Sequence, residues 1–118
     1  MSWFSQDKVH QSWLIINDLS SYEAACQKSY EEPILIFKHS TRCSISTMAL
    51  NRIESSNDEY RVINNCYYID LLKHRDLSNL IADNFNVIHA SPQILVIKNG
   101  KCLYNTSHSN INWKNISL

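Results

Sequence analysis

The chain has 118 residues, and its 11 basic and 11 acidic side chains cancel. That length fits one domain, 1–118, with enough core to need neither disulfide nor metal, and residues 1–11, polar apart from Trp3 and Phe4, read either as a tail or as a segment docked on the surface. The even charge excludes a basic stripe for nucleic acid, no apolar run approaches the roughly 20 residues of a membrane span, and no signal peptide opens the chain, so a cytoplasmic protein without nucleic-acid or membrane partners is expected.

In chain order, Trp13-Leu14-Ile15-Ile16 is a strand candidate. Asp18-Leu19-Ser20 signals a helix start, with Ser20 and Glu23 spaced as a capping box. Tyr22, Ala25, Cys26 and Tyr30 then fall on one helical face, ended by Glu31-Glu32-Pro33, because the residue before proline avoids the helical region. Ile34-Leu35-Ile36-Phe37 is apolar on both faces, as in a central strand covered on both sides. Lys38 to Arg42 reads as the polar loop after it.

The next helix runs from about Ile45 to Ile53, with Ile45, Met48, Ala49 and Ile53 on one stripe and Ser55-Ser56-Asn57-Asp58 closing it. Cys66 to Ile69 is a strand ending at Asp70. A third helix, Asp76 to Phe85, carries Leu77, Leu80, Ile81 and Phe85 on one face. Ile94–Ile97 and Lys101–Tyr104 flank Asn99-Gly100, a strong local hairpin signal, since a type I′ turn needs positive φ at both central residues. The chain's one glycine is therefore spent at a turn, which excludes glycine-rich phosphate loops and leaves other left-handed positions to asparagine. Residues 109–118 read as a short final helix. The order βαβαβαββα implies an α/β fold with a central mixed sheet flanked by helices.

Four cysteines allow three disulfide pairings, but their wide spacing and the expected compartment favour free thiols. With no Cys-x-x-Cys and no helical pair of histidines, no metal and no bound cofactor are expected. Cys26, Cys66 and Cys102 fall on elements that should be buried, where a free cysteine packs as a small hydrophobe. Cys43 differs, because a strand stops, turns and begins a helix at it. A helix N-terminus favours a thiolate by up to ~2 kcal/mol. A thiolate favoured in this way attacks only modestly better but leaves much faster. Lys38 and Arg42 are nearby cations, and His39 adds to them only if protonated.

The segment His39-Ser40-Thr41-Arg42-Cys43-Ser44-Ile45-Ser46, together with Ser91-Pro92-Gln93 and Lys98-Asn99-Gly100-Lys101, resembles the YtxJ-like bacilliredoxins, monothiol proteins of the thioredoxin-like superfamily. The resemblance runs from about Trp13 to about residue 113. The family often has proline directly after the cysteine, where this chain has Ser44. Membership implies a thioredoxin-like fold, a cis-proline at Pro92 facing the cysteine, and exchange between Cys43 and mixed disulfides of a low-molecular-weight thiol, bacillithiol or similar, on partner proteins. It implies Cys43 as the catalytic nucleophile. Thr41, Arg42 and the amides from Ser44 onward would hold the thiolate or an anionic thiol ligand. Ser46 would hydrogen-bond the thiolate, Ser91 and Pro92 would form the groove, and His108 would approach the same end of the sheet.

Dithiol relatives keep a resolving thiol where this chain has Ser46, and many keep a buried Asp where it has Phe37. Both replacements point to a cycle without an internal disulfide. Two other readings make different predictions. A glutaredoxin-like iron–sulfur carrier would need Cys-Gly-Phe-Ser and a Gly-Gly pair, which are absent. A non-catalytic thioredoxin-fold binding module would have a Cys43 of ordinary reactivity.

Overall fold

The computed structural model describes residues 13–55 and 61–116; the tail or docked segment expected at 1–11, and the stretch 56–58, lie outside them. The elements are β1 (Trp13–Ile15), α1 (Leu19–Lys28), β2 (Ile34–His39), α2 (Ser44–Ser55), β3 (Asn65–Asp70), α3 (Arg75–Phe85), β4 (Gln93–Lys98) and β5 (Lys101–Ser107). Two 3-10 turns, His108–Asn110 and Trp113–Asn115, replace the expected last helix. They hold because Trp113 buries its ring while donating Nε1–H to the Ile53 carbonyl at 3.0 Å. Arg52 adds bonds to the carbonyls of Ile111 and His108.

The sheet order is β1-β3-β2-β4-β5, with β1, β3 and β2 parallel and β4 and β5 antiparallel. Every residue of β2 is buried, as a central strand requires. Alternation along the strands sorts the core into two layers. Leu35, Phe37, Cys66, Ile94 and Val96 face α2, through Ala49, Leu50 and Ile53, and the C-terminal Ile111 and Trp113. Ile34, Ile36, Tyr67, Ile69, Leu95 and Ile97 face α1, through Tyr22 and Ala25, and α3, through Ile81. Each fully buried aliphatic side chain contributes roughly 1.5–3 kcal/mol relative to exposure, which is why both faces must be covered.

Three local expectations shift. The α1 capping box is built one step earlier, from Asp18 and Ser21 rather than Ser20 and Glu23: the Ser21 N–H donates to Asp18 Oδ1 at 2.8 Å and the Asp18 N–H to Ser21 Oγ at 3.1 Å. Tyr30 lies beyond the last turn of that helix and is exposed. In α2 the buried stripe is Ser46, Ala49, Leu50 and Ile53, while Ile45 and Met48 face outward. The hairpin forms as expected, with φ of 54° at Asn99 and 75° at Gly100, and Asn86 takes the left-handed position closing α3. His108 is a third positive-φ residue that is not glycine.

Candidate active site

The central strand does not stop at Phe37. It continues through Lys38 and His39, both buried despite their polarity, so the loop is only Ser40-Thr41-Arg42. The Cys43 N–H closes that turn on the Ser40 carbonyl at 3.1 Å. The Cys43 carbonyl then accepts the first α2 bond from the Thr47 N–H at 3.0 Å, and the Thr47 hydroxyl at 3.3 Å. Cys43 is therefore the residue capping α2, and its thiol is partly exposed. The amides of Ser44, Ile45 and Ser46 have no carbonyl in the preceding turn to bond, and a side chain at the cap position is the one that reaches them. That helix end carries roughly +0.5 of an elementary charge.

Ser46, the last residue of the Cys-x-x-Ser segment, is fully buried. Its Oγ lies 2.6 Å from His39 Nδ1 and accepts the Ser40 N–H at 3.0 Å. It thus fastens the end of β2 to the first turn of α2. The hydroxyl is bonded to these two groups and not to Cys43. His39 packs against the rings of Phe37 and Tyr68 and sits opposite Asp70 in the neighbouring strand. Burial lowers its pKa from 6.5, against the opposing pull of Asp70 and the Ser46 bond. It is therefore neutral at pH 7 and supplies no charge to the thiol.

Lys38 leaves the opposite face of β2. Its Nζ donates to the Ser78 carbonyl at 3.3 Å and lies 3.4 Å from His89 Nδ1, so it sits on the α3 side of the sheet rather than beside Cys43. Burial brings its pKa down to about 8. Thr41 and Arg42 are exposed and line an open depression with Asp70, Leu72 and Lys73. Ser44 is the exposed first residue of α2.

The groove residues come from the β2–β4 pairing. The ladder ends where Lys38 pairs with Gln93, so Ser91 and Pro92 lie just beyond its end, and Ser91 lines one cavity with Ser40. The Ser91–Pro92 peptide is cis, and the Pro92 carbonyl accepts the His108 N–H at 3.1 Å. His108 thus reaches this end of the sheet through its backbone, with its side chain exposed. Ser91 Oγ is buried without a hydrogen-bond partner.

All four cysteines are free. Burial raises the Cys26 and Cys102 thiols and pushes Cys66 up to about 11, so these three stay protonated at neutral pH. Among the described residues, no group of three or more His, Cys, Asp or Glu side chains is placed to hold a metal ion. Lys38 and His39, expected from the sequence as charges near the thiol, instead hold the Ser78–His89 pair and Ser46, and Ser78 and His89 are features that reading the sequence did not assign. The apolar run before Lys38 and His39 was the available signal, because a central strand that must reach Gln93 and Asp70 continues past its last hydrophobic residue.

Comparison with known proteins agrees with this fold. A solved structure described as having a thioredoxin fold is 30% identical, with a TM-score of 0.72, over 86% of this chain and 88% of that one. Thioredoxins from Fasciola hepatica (16% identical, TM-score 0.65, 81% and 86% covered) and Trypanosoma brucei brucei (11%, 0.67, 84% and 80%) share the fold. The family model described as monothiol bacilliredoxin BrxC matches residues 15–116. A thiol capping α2, a buried serine in place of a second thiol and a thioredoxin fold agree with that match, and the chain belongs to the monothiol bacilliredoxin family.

Proposed function

We propose that Cys43 is the nucleophile of a monothiol thiol–disulfide exchange that removes a low-molecular-weight thiol, bacillithiol or a similar one, from mixed disulfides on cytoplasmic proteins. The Cys43 thiolate attacks the small thiol's sulfur in the mixed disulfide. The old S–S bond breaks, the client leaves as a thiolate and takes a proton, and a disulfide forms between Cys43 and the small thiol. The thiolate of a second small thiol then attacks the sulfur of the first. This releases the Cys43 thiolate and a symmetric small-thiol disulfide, which carries the oxidising equivalents away. Thr41, Arg42 and the free amides of α2 hold the anionic sulfur, and Ser91 and Pro92 guide the extended ligand.

The observation that carries this reading is the Cys43–Ser46 segment. A partly exposed thiol caps the helix, and the place of a resolving thiol holds a buried hydroxyl committed to His39 and Ser40. Each cycle therefore ends on an outside thiol. The test is mass spectrometry of Cys43 after incubation with bacillithiol, coenzyme A and glutathione disulfides in parallel. An adduct on Cys43 from one of them, and loss of all exchange in Cys43→Ala, are expected. Exchange that persists in Cys43→Ala refutes the assignment.

A further inference from the structure

On the α3 side of the Cys43 turn lies a cavity of about 230 Å³, lined by Ser40, Arg75, Ser78, His89 and Ser91 among others. It touches the reactive segment at two points. The Ser40 carbonyl holds the Cys43 N–H, and Ser91 precedes Pro92. Lys38 does not itself line it, but its fully buried ammonium reaches two of the lining residues, the Ser78 carbonyl and His89 Nδ1. Both of those partners are neutral acceptors. Among the described residues no carboxylate stands within ion-pair distance of Lys38. A buried charge without a counter-charge is costly, and a bound anion would offset that cost.

The other groups round the cavity have the same need. Ser91 Oγ is buried with no partner. Arg75 is exposed at the rim. Burial, and then the charges of Lys38 and Arg75, disfavour a proton on His89. What is missing is an acceptor with negative charge: Lys38 has donor capacity to spare, and so has the Ser91 hydroxyl. We infer that this cavity is the subsite for a carboxylate of the small thiol while its sulfur is joined to Cys43, an assignment that rests on the exchange role proposed above. A client protein's acidic side chain shares the chemistry, but the cavity's place between Ser40, which holds the Cys43 N–H, and Ser91 favours the tail of a ligand joined to Cys43.

The test is titration of isotope-labelled protein with S-methyl bacillithiol and S-methylglutathione, both of which carry free carboxylates, and with their methyl esters. These thioethers do not exchange, so the result is independent of the reactivity of Cys43, whose failure in the mass-spectrometric test would overturn the function alone. At least one free acid should shift the amides of Ser78, His89 and Ser91 and bind about tenfold or more tightly than its ester, as a hydrogen bond to a buried charge implies. Lys38→Met should abolish the difference. Arg75→Gln, an exposed change that spares the fold if Lys38→Met does not, should weaken only the acid, by roughly threefold. Equal binding of acid and ester, a preference that survives in folded Lys38→Met, or shifts caused only by an acidic peptide would overturn the subsite.

Discussion

A hydroxyl with no exposed surface has to be matched by partners, and Ser46 Oγ is matched twice, by His39 Nδ1 at 2.6 Å and the Ser40 N–H at 3.0 Å. Ser46→Ala removes one atom and leaves His39 Nδ1 unsatisfied in the interior, while the part-buried Ser40 N–H can turn to water. Each unmet buried polar group costs about 1–3 kcal/mol. Destabilisation by roughly 1–3 kcal/mol is therefore expected in urea unfolding, with the Cys43 adduct still formed, since Ser46 does not touch the thiol. An unchanged unfolding midpoint would show that the serine is not a strut between β2 and α2. The sequence marked this position correctly as lacking a second thiol but gave it to the thiolate. Its partner, His39, reads from sequence as a loop residue, because the apolar run stops at Phe37, two residues before hydrogen bonding ends the strand.

Among the elements, those governed by neighbours in sequence were the most legible. The β4–β5 hairpin was readable from Asn99-Gly100 alone, since two consecutive positive-φ residues narrow the choice to Asn, Asp and Gly. The α2 stripe was not, because Ile45 and Met48 have the right hydrophobicity on the wrong face. The face is set by Ser46, a residue no hydrophobic pattern selects. The hairpin also docks on the end of α1: the Asn99 N–H donates to the Ser29 carbonyl at 2.7 Å and the Gly100 N–H to Ser29 Oγ at 3.1 Å. A Cβ at Gly100 would meet the Tyr30 hydroxyl and would sit on a backbone with φ of 75°. Tyr30 is exposed and can swing aside, so the backbone term dominates. Gly100→Ala should lose about 1–2 kcal/mol. Gly100→Asn should lose less, because asparagine tolerates the left-handed region. Equal losses for the two substitutions would place the cost in the contact with Tyr30 instead.

Over the whole molecule, the alternation of strands and helices was enough to give a mixed sheet with helices on both faces, because each apolar run has one way to be covered. What the sequence could not give is which side of the sheet a polar residue faces once it lies inside a strand. That choice separates Lys38 from His39 and puts a charge in the core between β2 and α3. The charge should be visible in global stability. The folded pKa of Lys38 is about 8, below its ordinary 10.5. Below about pH 8 the ammonium is charged in both states, and the cost of burying it is borne in full. Between about 8 and 10.5 the unfolded chain holds the proton and the folded chain does not, so stability rises with pH; the gain is complete above 10.5 and lost as pH falls through about 8. A shift of this size corresponds to roughly 3 kcal/mol, an upper figure for what the charge costs at neutral pH. Lys38→Met keeps the length of the side chain and removes the charge. Its urea midpoint at about pH 7 should exceed that of the unsubstituted protein, by up to roughly 3 kcal/mol in unfolding free energy, and the gap should narrow towards pH 10 as the native lysine deprotonates. Parallel stability curves from about pH 7 to pH 10 would mean that Lys38 holds its proton equally in the folded and unfolded chain, so that burial does not disfavour its charge.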